Sequence, residues 1–131
     1  MSTVEITKDN LEQTISAGGI VLLDFWAAWC GPCRSFAPVF ETASEENSDI
    51  VFGKIDTEAE QELAGMFGIT SIPTIMAFRD GINVFAQAGA LPAPTLTQLI
   101  DAVRGLDMDE VRTQLAQAEN AAAAGNESAA E

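Results

Sequence analysis

The chain has 131 residues, enough for one compact domain, and its balance of 47% hydrophobic to 20% charged residues is that of a globular protein. Six Lys and Arg against twenty Asp and Glu give a formal net charge of -14, which argues against nucleic acid and anionic membrane surfaces as partners. The chain has no histidine, so triads and cysteine pairs that use histidine, and histidine metal ligands, are excluded.

Strand-like and helix-like patterns alternate through residues 1–106 and predict one α/β domain in the order β-α-β-α-β-α-β-β-α. This order implies a central mixed sheet of five strands with helices on both faces. The predicted strands cover 3–6, 20–27, 50–55, 74–78 and 84–87, and the predicted helices cover 8–16, 31–47, 60–66 and 95–103. Asp80-Gly81 predicts a tight turn between the last two strands.

The composition changes after Leu106, where residues 107–131 form an acidic extension rich in Ala and Glu. Its apolar residues recur at helical spacing through Ala118, which predicts a short helix over 107–118. Beyond it the chain has too few large apolar side chains to offset its ordering entropy, so we expect a disordered tail.

No segment predicts export or membrane insertion. The first fifteen residues carry four charged side chains and contain no apolar run of the kind that a secretory signal needs. The longest apolar run, residues 20–30, is interrupted by Asp24 and is shorter than the ~20 residues that span a bilayer. We therefore expect a cytoplasmic protein, in which a permanent disulfide is unusual.

Both cysteines lie in the motif Trp29-Cys30-Gly31-Pro32-Cys33, between the apolar strand and the second helix. Two intervening residues at the first turn of a helix bring the two sulfurs within bonding range. The unpaired amides and the positive dipole end of that turn favour a thiolate over a thiol. Pro32 suits the turn because its missing N–H would have no helical partner there.

Three interpretations of the cysteine pair compete. A zinc site needs about four ligands, so a single pair without histidine would require two chains to meet. A structural disulfide that closes so short a loop contributes only ~2 kcal/mol by the chain-entropy formula. The favoured interpretation is a pair that cycles between dithiol and disulfide by exchange with a partner.

Five segments, in their order and spacing, resemble the thioredoxin family over about residues 3–106. They are Val21–Arg34, Phe52–Asp56, Phe67–Thr74, Phe78–Gly81 and Gly89–Leu91. The resemblance implies the thioredoxin fold for residues 1–106 and the activity of a protein-disulfide reductase that carries electrons as a dithiol. It implies no bound cofactor or metal beyond the reversible Cys30–Cys33 disulfide. The implied partners are disulfide-containing client proteins and a thioredoxin-reductase-like flavoprotein that re-reduces the pair, and we expect a monomer.

The resemblance also assigns roles to individual residues. Cys30 is implied to be the exposed thiolate that attacks a client disulfide, and Cys33 the resolving cysteine. Asp24 is implied to be buried behind Cys33 and to move its proton, because burial raises a carboxyl pKa toward the range of a general base. Lys54 matches the lysine that supports this carboxylate. Arg34 stands where many thioredoxins have Lys.

A client-binding groove is implied around the cysteines. It comprises Trp29, Gly31, Pro32, Ile72, Pro73, Ala88 and Gly89. The Ile72–Pro73 peptide bond is expected to be cis, and the backbone at Ile72 to pair with an extended client segment. Trp26 is expected to pack beneath the groove.

Two other functions stay open at this point. One is a protein-disulfide oxidase or isomerase on the same fold, which the absence of an export signal disfavours. The pair Gly31-Pro32 also places no cation between the cysteines, which favours a reductant. The other is a non-catalytic binding module, which the presence of Cys30, Cys33 and Asp24 disfavours.

Overall fold

The computed structural model describes residues 2–130, with side chains described through residue 121. All nine elements predicted for residues 1–106 are present and in the predicted order. The strands are β1 (Thr3–Glu5), β2 (Ile20–Trp26), β3 (Val51–Asp56), β4 (Thr74–Arg79) and β5 (Ile82–Ala88). The helices are α1 (Leu11–Ser16), α2 (Gly31–Glu46), α3 (Gln61–Met66), α4 (Ala93–Arg104) and α5 (Met108–Ala130).

The five strands form one mixed sheet, as predicted, and its strand order is β1-β3-β2-β4-β5. β1, β3 and β2 are parallel, whereas β4 and β5 are antiparallel to their neighbours. The turn between β4 and β5 has positive φ at both central residues, Asp80 (53°) and Gly81 (82°), which matches the right-handed twist of a hairpin. Because β2 is the central strand, the cysteine motif that follows it lies near the middle of the sheet, at the carboxyl ends of the parallel strands.

Helices cover both faces of the sheet, and each face has its own apolar cluster. Phe36 and Phe40 of α2 pack with Leu96 of α4 on one face. Leu11 of α1 and Leu63 of α3 pack on the other. The predicted two-faced burial of β2 is confirmed, since its five inner residues are all buried.

Helix α1 begins three residues later than predicted, at Leu11 instead of Lys8. The side chain of Asn10 explains the difference: its Oδ1 accepts a hydrogen bond of 2.8 Å from the backbone N–H of Thr7, and its amide donates to the carbonyl of Glu5. These bonds hold a turn at residues 7–10, as asparagine side chains commonly do before a helix.

The C-terminal extension differs from the prediction of a helix ending at 118 and a disordered tail. Helix α5 continues to Ala130, because alanine has the highest helix propensity and sustains a helix with little packing. Its first turn is anchored: Met108 is buried, and Asp107 Oδ1 accepts hydrogen bonds from the N–H groups of Asp109 and Glu110. Within the described part of the chain, no helix combines the length and apolar character needed to cross a membrane.

Candidate active site

The cysteine pair lies where the central strand gives way to a helix. Cys30 is the N-cap of α2, with extended backbone (φ -84°, ψ 113°), and its Sγ accepts a hydrogen bond of 3.2 Å from the N–H of Cys33. The two cysteines form a disulfide, with their Cα atoms 5.2 Å apart. The predicted placement of the pair at a helix start is therefore confirmed, and a backbone donor points at Cys30 Sγ.

Both cysteines are buried in this disulfide state. Cys30 is 4% exposed and Cys33 is 3% exposed, so in the disulfide state Cys30 lacks the exposure that the family resemblance implies for its thiolate. The reason is packing, because the pair forms a small apolar cluster with Ala27, against which Trp26 and Ile72 also lie.

The loop before β4 lies against the disulfide. The Ile72–Pro73 peptide bond is cis, as expected, and the carbonyl oxygen of Ile72 lies 3.7 Å from Cys30 Sγ. The N–H of Gly89 donates a 2.7 Å hydrogen bond to the carbonyl of Pro73, and Ala88 pairs with Thr74 in the sheet. Gly89 has φ of +106°, a conformation that side chains disfavour, so glycine is required for this contact.

The predicted groove residues differ in their accessibility. Trp29 is 67% exposed. Gly31, Pro32, Ala88 and Gly89 are also exposed, Ile72 is half-buried and Pro73 is buried. Beside the disulfide lies a shallow pocket of about 320 Å³, to which the predicted set contributes Trp29 and Ile72. The pocket also includes residues that sequence reasoning missed: Thr57, Ala64, Ile69, Thr70 and Ser71.

Asp24 is the charged residue buried within the described sheet, at 1% exposure. Neither of its carboxyl oxygens has a hydrogen-bond partner among the described residues. Burial raises the pKa of Asp24 from its ordinary value of 3.8 to about 7, while the positive charge of Lys54 acts to lower it. The side chain can therefore gain or lose a proton near neutral pH.

Lys54 is the neighbour of Asp24 across the β2–β3 ladder. Its Nζ lies 5.0 Å from the centroid of the Trp26 ring, a cation–π arrangement. The ion pairs among the described residues join other groups, so Lys54 acts on Asp24 through its charge and without forming an ion pair with it. Trp26 is half-buried, as expected for a packing residue.

Two further charged residues contact the loop between β2 and α2. Glu58 Oε1 accepts a hydrogen bond of 2.6 Å from the indole N–H of Trp29, and Arg34 Nη1 donates one of 2.8 Å to the carbonyl of Ala28. Glu58 was not predicted. The signal was available, because Glu58 follows β3, and the carboxyl ends of the parallel strands β2 and β3 meet at the same edge of the sheet.

Comparisons with known proteins agree with this geometry. Residues 2–102 match the family model described as Thioredoxin. A thioredoxin-type protein of Streptomyces coelicolor is 59% identical over 116 residues (88% of this chain and 87% of the relative), and the thioredoxin of Bacillus subtilis is 40% identical over 102 (77% and 97%). The solved structure of a mutant thioredoxin from Halobacterium salinarum is 34% identical, with a TM-score of 0.75 over 81% of this chain and 94% of that one. The chain therefore belongs to the thioredoxin family, has the thioredoxin fold, and is a thiol–disulfide oxidoreductase that carries electrons on a cysteine pair and acts on disulfide-containing proteins.

Proposed function

We propose that the protein works as a reductant of client disulfides, in the cytoplasm and as a monomer, and that a thioredoxin-reductase-like flavoprotein re-reduces it. The observation that carries the proposal is Cys30 at the N-cap of α2, where the N–H of Cys33 points at its sulfur. An amide donor and the positive end of the helix dipole both stabilise a thiolate. A cysteine pair that acts as a reductant is favoured by the cytoplasm, where thiols are kept reduced, and a net charge of -14 makes copies of the chain repel one another.

In the first step the Cys30 thiolate attacks one sulfur of the client disulfide. The client S–S bond breaks, its other sulfur leaves as a thiolate, and a mixed disulfide joins Cys30 to the client. Cys33 then loses its proton and attacks Cys30 Sγ, which breaks the mixed disulfide and releases the second client sulfur. The client gains two electrons and two protons, and the protein is left with the Cys30–Cys33 disulfide.

Asp24 is the proposed acceptor of the Cys33 proton. Two observations support this assignment. The Asp24 carboxyl group is buried without a hydrogen-bond partner among the described residues, and its pKa of about 7 suits a proton acceptor at neutral pH. Lys54 favours the ionised form of Asp24 through its charge, so it sets how readily the proton is taken. Both side chains act on the second step of the reaction.

The proposed client groove comprises Trp29, Gly31, Pro32, Ile72, Pro73, Ala88 and Gly89. The Ile72 carbonyl beside Cys30 Sγ supports backbone pairing between this loop and an extended client segment. The exposed Trp29 ring offers apolar contact area. We further propose that residues 1–106 form the redox domain and that 107–131 are an appended helical segment.

Covalent trapping tests the proposed order of the two cysteines. In Cys33→Ser the second step is blocked, so clients should accumulate as mixed disulfides with Cys30, seen as thiol-sensitive bands on non-reducing gels. Cys30→Ser is the matched control, with a thiol at the inner position, and it should trap few or none. Equal trapping by both variants, or by neither, would contradict the assignment.

The direction of electron flow has a separate measurement. The absence of a cation between the cysteines supports a reduction potential close to those of reducing cysteine pairs, well below those of oxidases. Equilibration of the Cys30–Cys33 pair with glutathione of known ratio measures it. A potential as oxidising as that of an oxidase would replace the reductase proposal with the oxidase one.

A further inference from the structure

Two opposite charges are held to consecutive residues of the loop that leads into Cys30. Arg34 Nη1 is bonded to the carbonyl of Ala28 at 2.8 Å, and Glu58 Oε1 is bonded to the indole N–H of Trp29 at 2.6 Å. Each charge is fixed by a hydrogen bond to a neutral group. Neither charge is cancelled by its partner.

The two charges belong to different layers of the fold. Arg34 is in the first turns of α2, whose Phe36 and Phe40 pack on the face that also carries α4. Glu58 is in the loop before α3, which packs on the other face through Leu63. Cys30 follows the central strand between these layers, so the loop that leads into it is bonded to a cation from the α2 side and to an anion from the α3 side.

Both charges are accessible to a partner. Arg34 and Glu58 are exposed, and the ion pairs among the described residues involve neither of them. A cation beside the disulfide is also unusual in a chain with six Lys and Arg against twenty Asp and Glu. Fixed and unpaired charges at the rim of a binding surface select partners and set their orientation.

We propose that Arg34 and Glu58 select client segments whose charges are opposite on the two sides of the reactive cysteine. The segment places its cationic side chains toward Glu58 and its anionic side chains toward Arg34. The order of charges along the client then decides the direction in which the segment lies across Cys30. This inference rests on the proposed reduction of extended client segments and adds the chemistry of the clients.

Two peptides of identical composition test the inference. One carries lysines before its cysteine and glutamates after it, the other has the reverse order, and a third with neutral flanks serves as the reference. Each cysteine is activated as a 2-pyridyl disulfide: Cys30 attacks the peptide sulfur, 2-thiopyridone leaves with its sulfur reduced, and Cys33 then releases the peptide as a thiol. At low ionic strength we expect the second-order rate constants for reaction of the pre-reduced protein with the two charged isomers to differ about fivefold, with the difference shrinking at high salt.

Exchange of the two charges sharpens the test without altering the net charge. In the double variant R34E/E58K the preferred isomer should be the one that the native protein disfavours. In R34Q/E58Q the preference should disappear, while the amide oxygen introduced by E58Q can still accept the indole hydrogen bond of Trp29. The matched control D109R/R112D exchanges an exposed pair on α5 and should keep the native preference.

The outcomes separate this inference from the function on which it rests. Equal rates for the two charged isomers, with the neutral peptide still reduced, would overturn the inference alone. A preference that R34E/E58K does not invert would also overturn it. Failure to reduce any of the three peptides would overturn the proposed reductase activity, and the inference with it.

Discussion

Charged side chains are paired at one end of the sheet, whereas the buried carboxylate on the strand that leads to the other end is unpaired among the described residues. At the end away from the disulfide, Arg104 makes two hydrogen bonds to the carboxylate of Asp49, and Arg79 Nη1 donates to carbonyls at the end of α4 that include Val103 (2.9 Å) and Leu106 (2.8 Å). On β2, which leads to the disulfide, the carboxylate of Asp24 is buried with no partner among the described residues. Charges are compensated where they hold elements together and left uncompensated where proton transfer is proposed.

The contrast shows most clearly in the two carboxyl groups. Hydrogen bonds from Arg104 lower the pKa of Asp49 to about 2, whereas burial raises the pKa of Asp24 to about 7. The first carboxyl stabilises the fold in its charged form and the second in its neutral form. Their contributions to stability must therefore depend on pH with opposite signs.

The largest expected effect is a gain of stability in Asp24→Asn at high pH. Between the ordinary pKa of 3.8 and about 7, Asp24 is ionised in the unfolded chain and protonated in the folded one, so its stabilising contribution is lost as the pH rises through 7. Asparagine stays neutral, and above pH 7 it should raise the free energy of unfolding by up to about 4 kcal/mol relative to aspartate. Urea unfolding of the oxidised protein across this range measures the difference, which should vanish near pH 4.

The control for this experiment is Asp9→Asn, because Asp9 is exposed. Its effect should stay within about 0.5 kcal/mol at every pH. If the free energies of unfolding of the native protein and Asp24→Asn differed by the same amount at every pH, the pKa of Asp24 would not be raised.

The substitution that stabilises the fold should also slow the reaction. Without a carboxylate to accept the Cys33 proton, release of the client from its mixed disulfide should slow roughly 100-fold, as is common on loss of a general base. Formation of the mixed disulfide by Cys30 should change little. Rapid-mixing kinetics separate the two steps, and the pH dependence of release near 7 should be lost in Asp24→Asn.

An equal slowing of both steps would assign Asp24 a role in positioning the pair. Lys54→Met provides a second comparison, since it removes the charge that lowers the pKa of Asp24. That variant should shift the pH profile of client release to higher pH and keep its shape.

The backbone elements that surround the site were predicted well from the sequence, because local sequence patterns determine them. The apolar run of β2, the glycine and proline after it, and the Asp80-Gly81 turn each specify their own backbone conformation, and all are found as predicted. Asp24 was identified as a charged residue within an apolar strand, and the structure confirms its burial.

Features that depend on distant contacts were not predicted. The partner of Trp29 is Glu58, separated from it by 29 positions, and only the parallel pairing of β2 and β3 brings the two together. The exposure of Cys30 depends on Ile72, which reaches it from the loop before β4. The length of α5 was underestimated because apolar spacing was weighed above the helix propensity of alanine.

The smallest expected effect concerns Asp49, whose charge is compensated. Its contribution to stability is present above the ordinary pKa of 3.8 and is lost as the pH falls through about 2, the reverse of the dependence expected for Asp24. Asp49→Asn should therefore be less stable than the native protein at neutral pH and should approach it below pH 2. The difference should be small and should shrink in high salt, because the pair is exposed to solvent. Urea unfolding in the same buffer series measures it, with Asp9→Asn again as the control, and a difference that grew on acidification would contradict the assigned role of Arg104.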